Sequence, residues 1–140
     1  MKILGIDFGL KKIGLAIADS EIKIAMPGDI VYYSSKKELL EEIKNVITEK
    51  EIKKIIIGLP LDFNLLETEM SKKTKEFGEI LGKEFNLPID FQNEISSSKQ
   101  IENMDFEINR KTKNRKLKQK KDVDNRSAAL ILESYLAEKL

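Results

Sequence analysis

The chain opens with MKILGIDFGLKKIGLAIA, residues 1–18, and this stretch decides the fold. Its apolar runs predict two strands, over residues 2–8 and 13–18, joined by a turn that contains Gly9. Farther along, the unbroken β-branched run at residues 55–57 is typical of a strand buried on both faces, as in a parallel sheet. The pattern therefore predicts an opening hairpin that is joined to parallel strands.

The rest of the sequence alternates strands with helices. Residues 21–33 predict a third strand that a turn at residues 27–28 interrupts, and residues 88–92 predict a short last strand. Amphipathic patterns predict helices, the two longest over residues 67–85 and 123–138. The order β-β-β-α-β-α-β-α-α predicts an α/β fold with a mixed sheet and helices on its faces.

The composition excludes several kinds of active site. The 140 residues include no cysteine and no histidine. Disulfides, thiolate or histidine metal sites, and Ser-His or Cys-His nucleophiles are therefore excluded. Hydrolytic chemistry must then depend on carboxylates, lysines or a carboxylate-bound metal. With 41% hydrophobic and 35% charged residues and no long apolar run, the sequence predicts a soluble cytoplasmic protein without a membrane segment.

Basic residues are concentrated in one segment, residues 109–121, which we call the basic block. It contains no acid and eight basic residues: Arg110, Lys111, Lys113, Arg115, Lys116, Lys118, Lys120 and Lys121. Since the whole chain has 25 basic and 24 acidic residues, the remainder has 17 and 24, a net charge of −7. A basic block on an acidic body predicts contact with nucleic-acid phosphates. The alternative is a solvated lysine-rich loop.

Asp7 is the first candidate site residue, because it lies near the end of an apolar strand. Burying a carboxylate there is costly unless a metal or a cationic group accompanies it. Gly5 and Gly9, on either side, leave room for a phosphate or a second strand to approach the backbone. The simpler interpretation is that Asp7 only closes a β-turn.

Two further acids, Glu94 and Asp124, are predicted to share one edge of the sheet with Asp7. Glu94 follows the last strand, and Asp124 lies one and two helical turns before Ala128 and Leu132. Three converging carboxylates repel one another unless a hard cation lies between them, and Mg²⁺ or Mn²⁺ is the expected ion. Two such ions can activate water and stabilise the leaving oxygen of a phosphodiester. Taken singly, Glu94 fits a surface acid and Asp124 a helix N-terminal acid.

Five motifs occur in one order: ILGIDFG, KKIGLAIAD, IIIGLPL, NE after LPIDF, and VDNRSAALILESYL. Together they closely resemble the YqgF family of RNase H-like proteins, described as Holliday-junction resolvases and as nucleases for pre-16S rRNA. The resemblance implies one RNase H-like nuclease domain over residues 1–140. It implies a five-stranded mixed sheet of order 3-2-1-4-5, with strand 2 antiparallel to strand 1. It also implies a metal-dependent phosphodiesterase site formed by Asp7, Glu94 and Asp124.

The sequence departs from the family pattern beside Glu94. The family usually has Asp-Glu-Arg followed by two threonines, whereas this chain has Asn93-Glu94-Ile95 followed by two serines. The arginine that suits a substrate phosphate is therefore absent. Lys11, Lys12 and Arg126 are the candidate replacements, and together with the basic block they form the predicted nucleic-acid-binding set.

Three functions fit these patterns. The first is a Mg²⁺- or Mn²⁺-dependent nuclease that processes structured RNA in the 5′-end maturation of pre-16S rRNA, a step of ribosome biogenesis. The second has the same chemistry on branched DNA, as a Holliday-junction resolvase. The third is a nucleic-acid-binding or ribosome-assembly factor with a weakened catalytic centre. An actin-like ATPase is disfavoured because it needs a second phosphate loop and about twice the length. We expect a monomer or a weak homodimer.

Overall fold

A computed structural model describes residues 1–61, 66–93 and 116–139, without the side chains of residues 116–125 and 139. The elements of this part are β1 (Lys2–Phe8), β2 (Lys12–Asp19), β3 (Ile24–Tyr32), α1 (Lys36–Lys50), β4 (Ile52–Leu59), α2 (Glu69–Phe85), β5 (Ile89–Asn93) and α3 (Lys116–Lys139). None of these three helices is long and apolar enough to cross a membrane.

The five strands form one sheet in the order β3-β2-β1-β4-β5. β2 pairs antiparallel with β1 and with β3, whereas β4 pairs parallel with β1 and with β5. This confirms the predicted mixed sheet and its order. Because β1, β4 and β5 run in the same direction, their carboxyl ends lie at one edge of the sheet.

Alternate residues along each strand point to opposite faces of the sheet. One face is covered by α1 and α2, and we call it the α1/α2 face. Its buried strand residues are large: Leu4, Ile6, Ile13, Leu15, Ile52, Ile55 and Ile57. The other face, the α3 face, is covered by α3. There the buried strand residues are Ile3, Ala16, Ala18, Ala25 and Ile56, and they pack against α3 residues that include Ala128, Leu132 and Leu136. The predicted helices on both faces are therefore confirmed.

Gly5 lets α3 lie close to β1. A Cβ atom at Gly5 would be 2.5 Å from the Leu132 Cγ atom, so the space beside Gly5 is filled by a leucine of the helix. Gly9 has a different role, because a Cβ there would be 2.5 Å from the carbonyl oxygen of Lys12, within the β1–β2 turn. Of the two alternatives that the sequence left open, a phosphate or a second strand, Gly9 therefore meets the second, since Lys12 begins β2. The space beside Gly5 is taken by a helix residue, which neither alternative included.

The far end of α3 is fixed to the sheet by polar side chains. The Lys54 ammonium group on β4 donates a hydrogen bond to the Tyr135 hydroxyl. On β5, the Gln92 Nε2 donates a 3.0 Å hydrogen bond to Glu138 Oε2. These bonds connect the last turns of α3 to β4 and β5, which fixes how the helix crosses the sheet.

A third strand is present, as predicted within residues 21–33, but the predicted interruption by a turn is wrong. β3 runs without a turn from Ile24 to Tyr32. Its pairing with β2 shifts by one residue, since Ala16 pairs with Pro27 but Gly14 pairs with Ile30. Proline and glycine are accommodated because β3 is an edge strand with a β-bulge, the two settings in which a strand tolerates them.

Two helices begin at positions that differ from the predictions. α2 begins at Glu69 because Thr68 is its N-cap, and the Thr68 and Ser71 side chains each accept from the other's backbone N–H. α3 begins at Lys116, seven residues before the predicted start, because residues 116–121 are lysine, leucine and glutamine, all good helix formers. Lys116, Lys118, Lys120 and Lys121 therefore lie on helical backbone, and the interpretation of that half of the basic block as a loop is wrong. The short helix expected near residues 96–104 lies outside the described residues.

Candidate active site

Asp7 lies near the carboxyl end of β1 and faces α3. It alternates with Ile3 and Gly5, both of which contact α3, and its own side chain is partly buried. Directly opposite on β2 is Gly14. On β4, Gly58 follows Ile57, the partner of Ile6. The residue beside Asp7 is therefore a glycine on both neighbouring strands, so no side chain from either position crowds the carboxylate.

A small pocket of about 90 Å³ includes Asp7. Its lining is formed by β1, the turn, β2 and β3, through Asp7, Phe8, Gly9, Lys12, Gly14 and Ile30. It contains an anionic and a cationic side chain, Asp7 and Lys12. The Lys12 Nζ also lies 5.9 Å from the centre of the Tyr32 ring. A carboxylate suited to a hard cation and an ammonium suited to a phosphate therefore share one pocket.

The turn beside Asp7 is held from two sides. On the α1/α2 face, the Phe8 ring stacks on Phe77 of α2 at 4.5 Å between centroids. Beyond β3, the Tyr33 N–H donates to the Lys11 carbonyl at 3.1 Å, and the Tyr33 hydroxyl donates to the Gly9 carbonyl. Burial raises the pKa of the Tyr33 hydroxyl, so it remains a donor at neutral pH. This support fixes the position of Asp7, as a metal ligand requires.

The other two predicted carboxylates are described less fully. Glu94 lies outside the described residues, immediately after Asn93, the last residue of β5. Asp124 lies on the backbone of α3, but its side chain is outside the described part. β4 separates β1 from β5, so their backbones are about 10 Å apart. Among the described side chains, no three acids, histidines or cysteines form a metal-binding group. The set of three carboxylates remains a prediction.

The predicted basic residues fall into three groups. Lys12 lines the pocket, Lys11 is exposed on the adjacent turn, and Arg126 is exposed on α3. The backbone alone is described for Lys116, Lys118, Lys120 and Lys121. Arg110, Lys111, Lys113 and Arg115 lie outside the described residues. Lys12 is thus the basic side chain that the described structure brings to Asp7.

Three residues of this region were not singled out by the sequence, Gly14, Tyr32 and Tyr33, whereas the sequence did mark Gly58 at the carboxyl edge of its strand. Gly14 had a signal, because the predicted strand limits at residues 8 and 13 imply that Asp7 pairs with residue 14. Gly58 ends the β-branched run of β4. The positions of Tyr32 and Tyr33 depend on the bulge in β3, which the sequence suggested only as a turn.

Solved structures share this fold. The fowlpox virus resolvase, in its complex with substrate Holliday junction DNA, matches with a TM-score of 0.55 and 19% identity, over 100% of this chain and 99% of that one. RuvC of Thermus thermophilus matches with a TM-score of 0.50 and 15% identity. That match covers 66% of this chain and 64%, less than two thirds, of RuvC. At such identities the matches show the fold alone, which is RNase H-like.

Relatives of known sequence match over most of the chain. A protein of Rickettsia bellii (strain OSU 85-389) named "Putative pre-16S rRNA nuclease" is 38% identical over 136 residues, 96% of this chain and 84% of its own length. A protein of the same name from Rickettsia africae (strain ESF-5) is 34% identical with the same coverage. The family model described as "RuvX: Holliday junction resolvase" matches residues 1–138. The chain therefore belongs to the RuvX family, the family that its motifs resembled under the name YqgF.

Proposed function

We propose that this chain is a metal-dependent nuclease that hydrolyses phosphodiester bonds in structured nucleic acid, and that it acts in the 5′-end maturation of pre-16S rRNA. The observation that carries the proposal is the setting of Asp7. This partly buried carboxylate is held at the carboxyl edge of the sheet, has glycine beside it and shares its pocket with Lys12. The names of the Rickettsia relatives support the RNA substrate.

Asp7, Glu94 and Asp124 are the proposed metal ligands. The donor chemistry fits Mg²⁺ or Mn²⁺, because a chain without histidine or cysteine offers oxygen ligands, which these ions prefer. When bound, such an ion supplies an activated water and neutralises charge on the departing oxygen. The chain's own part is to hold the Asp7 carboxylate in place, through the Phe8–Phe77 stack and the turn anchored by Tyr33.

The basic side chains are proposed to hold the nucleic acid. Lys12 lines the pocket of Asp7 and suits the phosphate that would be cleaved, in place of the arginine missing after Glu94. The basic block, with Lys11 and Arg126, would contact phosphates farther along the strand. Its eight positive charges contrast with the net −7 of the remaining chain, so nucleic acid would be attracted to that segment. We propose that one domain over residues 1–140 performs this function, in the cytoplasm.

A Holliday-junction resolvase is the second candidate. The description of the RuvX family supports it, as does the fowlpox virus resolvase that shares the fold. The metal and the carboxylates would be the same, and only the substrate would be branched DNA. A direct comparison of a pre-16S rRNA 5′ leader with a four-way DNA junction decides between the two candidates.

The first prediction is that Asp7→Asn abolishes cleavage. Mutating a residue that only hydrogen-bonds to a metal ligand lowers metal affinity or activity by about 10- to 100-fold. Losing a ligand itself should therefore lower the cleavage rate by more than roughly 100-fold. Stability should be unchanged or slightly higher, because one of the proposed like charges is removed. The measurements are cleavage of both substrates with Mg²⁺, Mn²⁺ or EDTA, Mn²⁺ binding by electron paramagnetic resonance, and urea denaturation.

Asp19→Asn is the matched control. Asp19 ends β2 at the opposite end of the same hairpin, where it pairs with Lys2. The control makes the same chemical change and should leave cleavage and Mn²⁺ binding intact. If Asp7→Asn cleaves as fast as the wild type, Asp7 is not a ligand. If the wild type binds RNA but cleaves neither substrate with any metal, the chain is a binding factor.

A further inference from the structure

The bulge in β3 determines which side chains of this edge strand face α3. Before the bulge, Ala25 pairs with Ala18 and lies in the core beneath α3. After it, Ile30 pairs with Gly14 and lines the pocket of Asp7. Without the extra residue, Asp29 instead of Ile30 would pair with Gly14 and face α3, and Tyr32 would point to the α1/α2 face. The bulge therefore turns Ile30 and Tyr32 toward Asp7, as bulges beside active sites often do.

Glycine at position 28 allows this bulge. A Cβ atom there would be 2.9 Å from the Leu15 carbonyl oxygen, and a backbone atom has little freedom to move away. On either side of Tyr32, Val31 and Tyr33 pack toward the α1/α2 face. Because successive residues of an extended chain point to opposite faces, Tyr32 points to the side of Asp7, whereas Val31 and Tyr33 point to the other side.

Tyr32 is an exposed aromatic side chain beside a cation. It is 68% exposed, so much of the ring surface is open to solvent. It pairs with Lys12, whose ammonium group is 5.9 Å from the ring centre and whose side chain lines the Asp7 pocket. Lys12 therefore connects the ring to the pocket.

The separation of Tyr32 from Asp7 suits two neighbouring nucleotides of one strand. Asp7 pairs with Gly14, and Lys12, the partner of Tyr32, lies two residues farther along β2. The separation is thus about 10 Å across the strands and about 7 Å along them. A phosphate held at Lys12 and Asp7 would place the next base near the Tyr32 ring.

We propose that Tyr32 is a base-stacking site for an unpaired nucleotide next to the phosphate that is cleaved, and that Lys12 holds that same phosphate. The inference rests on the proposed nuclease function and extends it to the form of the substrate. A single strand or an unpaired end offers a base that can stack on the ring, whereas a continuous duplex does not. Stacking on an aromatic ring accepts any base, so this site selects unpaired structure and not sequence.

Binding in EDTA tests the site separately from cleavage. The probe is a short fluorescein-labelled single-stranded RNA of mixed sequence, measured by anisotropy, beside the same sequence as a full duplex. Tyr32→Val removes the ring but keeps a strand-forming residue. It should weaken single-strand binding by about 5- to 150-fold and leave duplex binding unchanged. Tyr32→Phe keeps the ring and should bind like the wild type.

Met26→Val is the matched control, because Met26 lies on the same strand before the bulge and is 63% exposed. It should leave binding unchanged. An abasic position moved along the RNA gives the sharper test. At one position the abasic RNA should bind wild-type protein much more weakly than the intact RNA does. With Tyr32→Val the same abasic position should cause no further loss of affinity, which would show that the ring and that base contact each other.

The possible outcomes distinguish failure of the stacking site from failure of the proposed nuclease function. If wild-type protein binds and cleaves RNA but Tyr32→Val binds the single strand equally well, only the stacking site is wrong. It is also wrong if Tyr32→Val weakens single strand and duplex alike, since that indicates a general effect. If the wild type neither binds nor cleaves the RNA, both proposals fail.

Discussion

The two faces of the sheet bury different kinds of residue, although both are covered by helices. The α1/α2 face is built from leucine, isoleucine and phenylalanine. On the α3 face, Ile3 and Ile56 are the large strand residues, and the other strand positions include Gly5, Gly14, Ala16, Ala18 and Gly58, together with Asp7. Large side chains on one face provide apolar burial. Small ones on the other bring a helix close to the strands and leave a carboxylate without large neighbours on the adjacent strands.

This difference divides stability and chemistry between the faces. Burying one isoleucine or leucine contributes about 1.5–3 kcal/mol, and an alanine contributes much less because it buries less area. More of the apolar area that the strand residues themselves bury therefore lies on the α1/α2 face. Asp7 and Tyr32, two described residues to which we propose a function, lie on the α3 face.

The largest expected effect on stability tests the α1/α2 face directly. Ile55 is fully buried there, and Ile55→Ala should lower the free energy of unfolding by about 2–5 kcal/mol. Cleavage by the protein that remains folded should be unchanged, because Ile55 lies on the face opposite Asp7. Urea denaturation and the cleavage assay measure the two quantities.

Ile24→Ala is the control, since it makes the same change at a side chain that is 58% exposed. It should alter stability by no more than about 0.5 kcal/mol. Equal losses at the two positions would mean that burial does not explain the effect. A loss of cleavage by folded Ile55→Ala protein would show that the two faces are not separate in function.

A second prediction tests the close approach on the α3 face. Gly5→Ala should destabilise the fold by about 1–3 kcal/mol, because the new Cβ would be 2.5 Å from the Leu132 Cγ. In a Leu132→Ala background the same change should cost much less, since the clashing atom is gone. The double-mutant cycle should give a coupling of about 0.5–3 kcal/mol. Additive effects would mean that α3 does not depend on Gly5.

The sequence was sufficient for the framework of the fold, because strong local signals agree there. The apolar run of β1 and the β-branched run of β4 predicted the strands that pair in parallel. The left-handed conformation of Asn86 after α2, with φ of 53°, follows the common C-cap preference. Asp7 was identified because a carboxylate within an apolar strand stands out.

The details that the sequence did not predict depend on contacts between distant segments. Gly5 fitted a phosphate approach, but the space belongs to Leu132, which is 127 positions later in the chain. The face of Tyr32 depends on one extra residue in β3, and Pro27-Gly28 fits a turn as well as a bulge. The convergence of Asp7 with Glu94 and Asp124 is still a prediction, and Asp7→Asn tests the role of Asp7 in it.

The smallest predicted effect concerns the two glycines of α2, and it sharpens the comparison of the faces. On the α3 face the glycines lie in the strands, whereas on the α1/α2 face they lie in a helix, as Gly78 and Gly82 of α2. A Cβ at Gly78 would be 2.6 Å from the Phe91 ring, but one at Gly82 would be 3.4 Å from Ile89, an ordinary contact. Gly82→Ala should therefore stabilise the protein by about 0.5–1 kcal/mol, through helix propensity alone.

Gly78→Ala makes the same change one helical turn earlier and serves as the matched comparison. The gain in helix propensity is the same, but the ring of Phe91 must move, so the variant should be less stable than Gly82→Ala by about 1 kcal/mol or more. Paired urea denaturation curves measure the difference. If both variants raise the free energy of unfolding equally, a Cβ at position 78 fits between α2 and β5. Close approach through glycine would then occur on the α3 face alone. If Gly78→Ala is the weaker, both faces use glycine for close approach, one in its strands and the other in its helix.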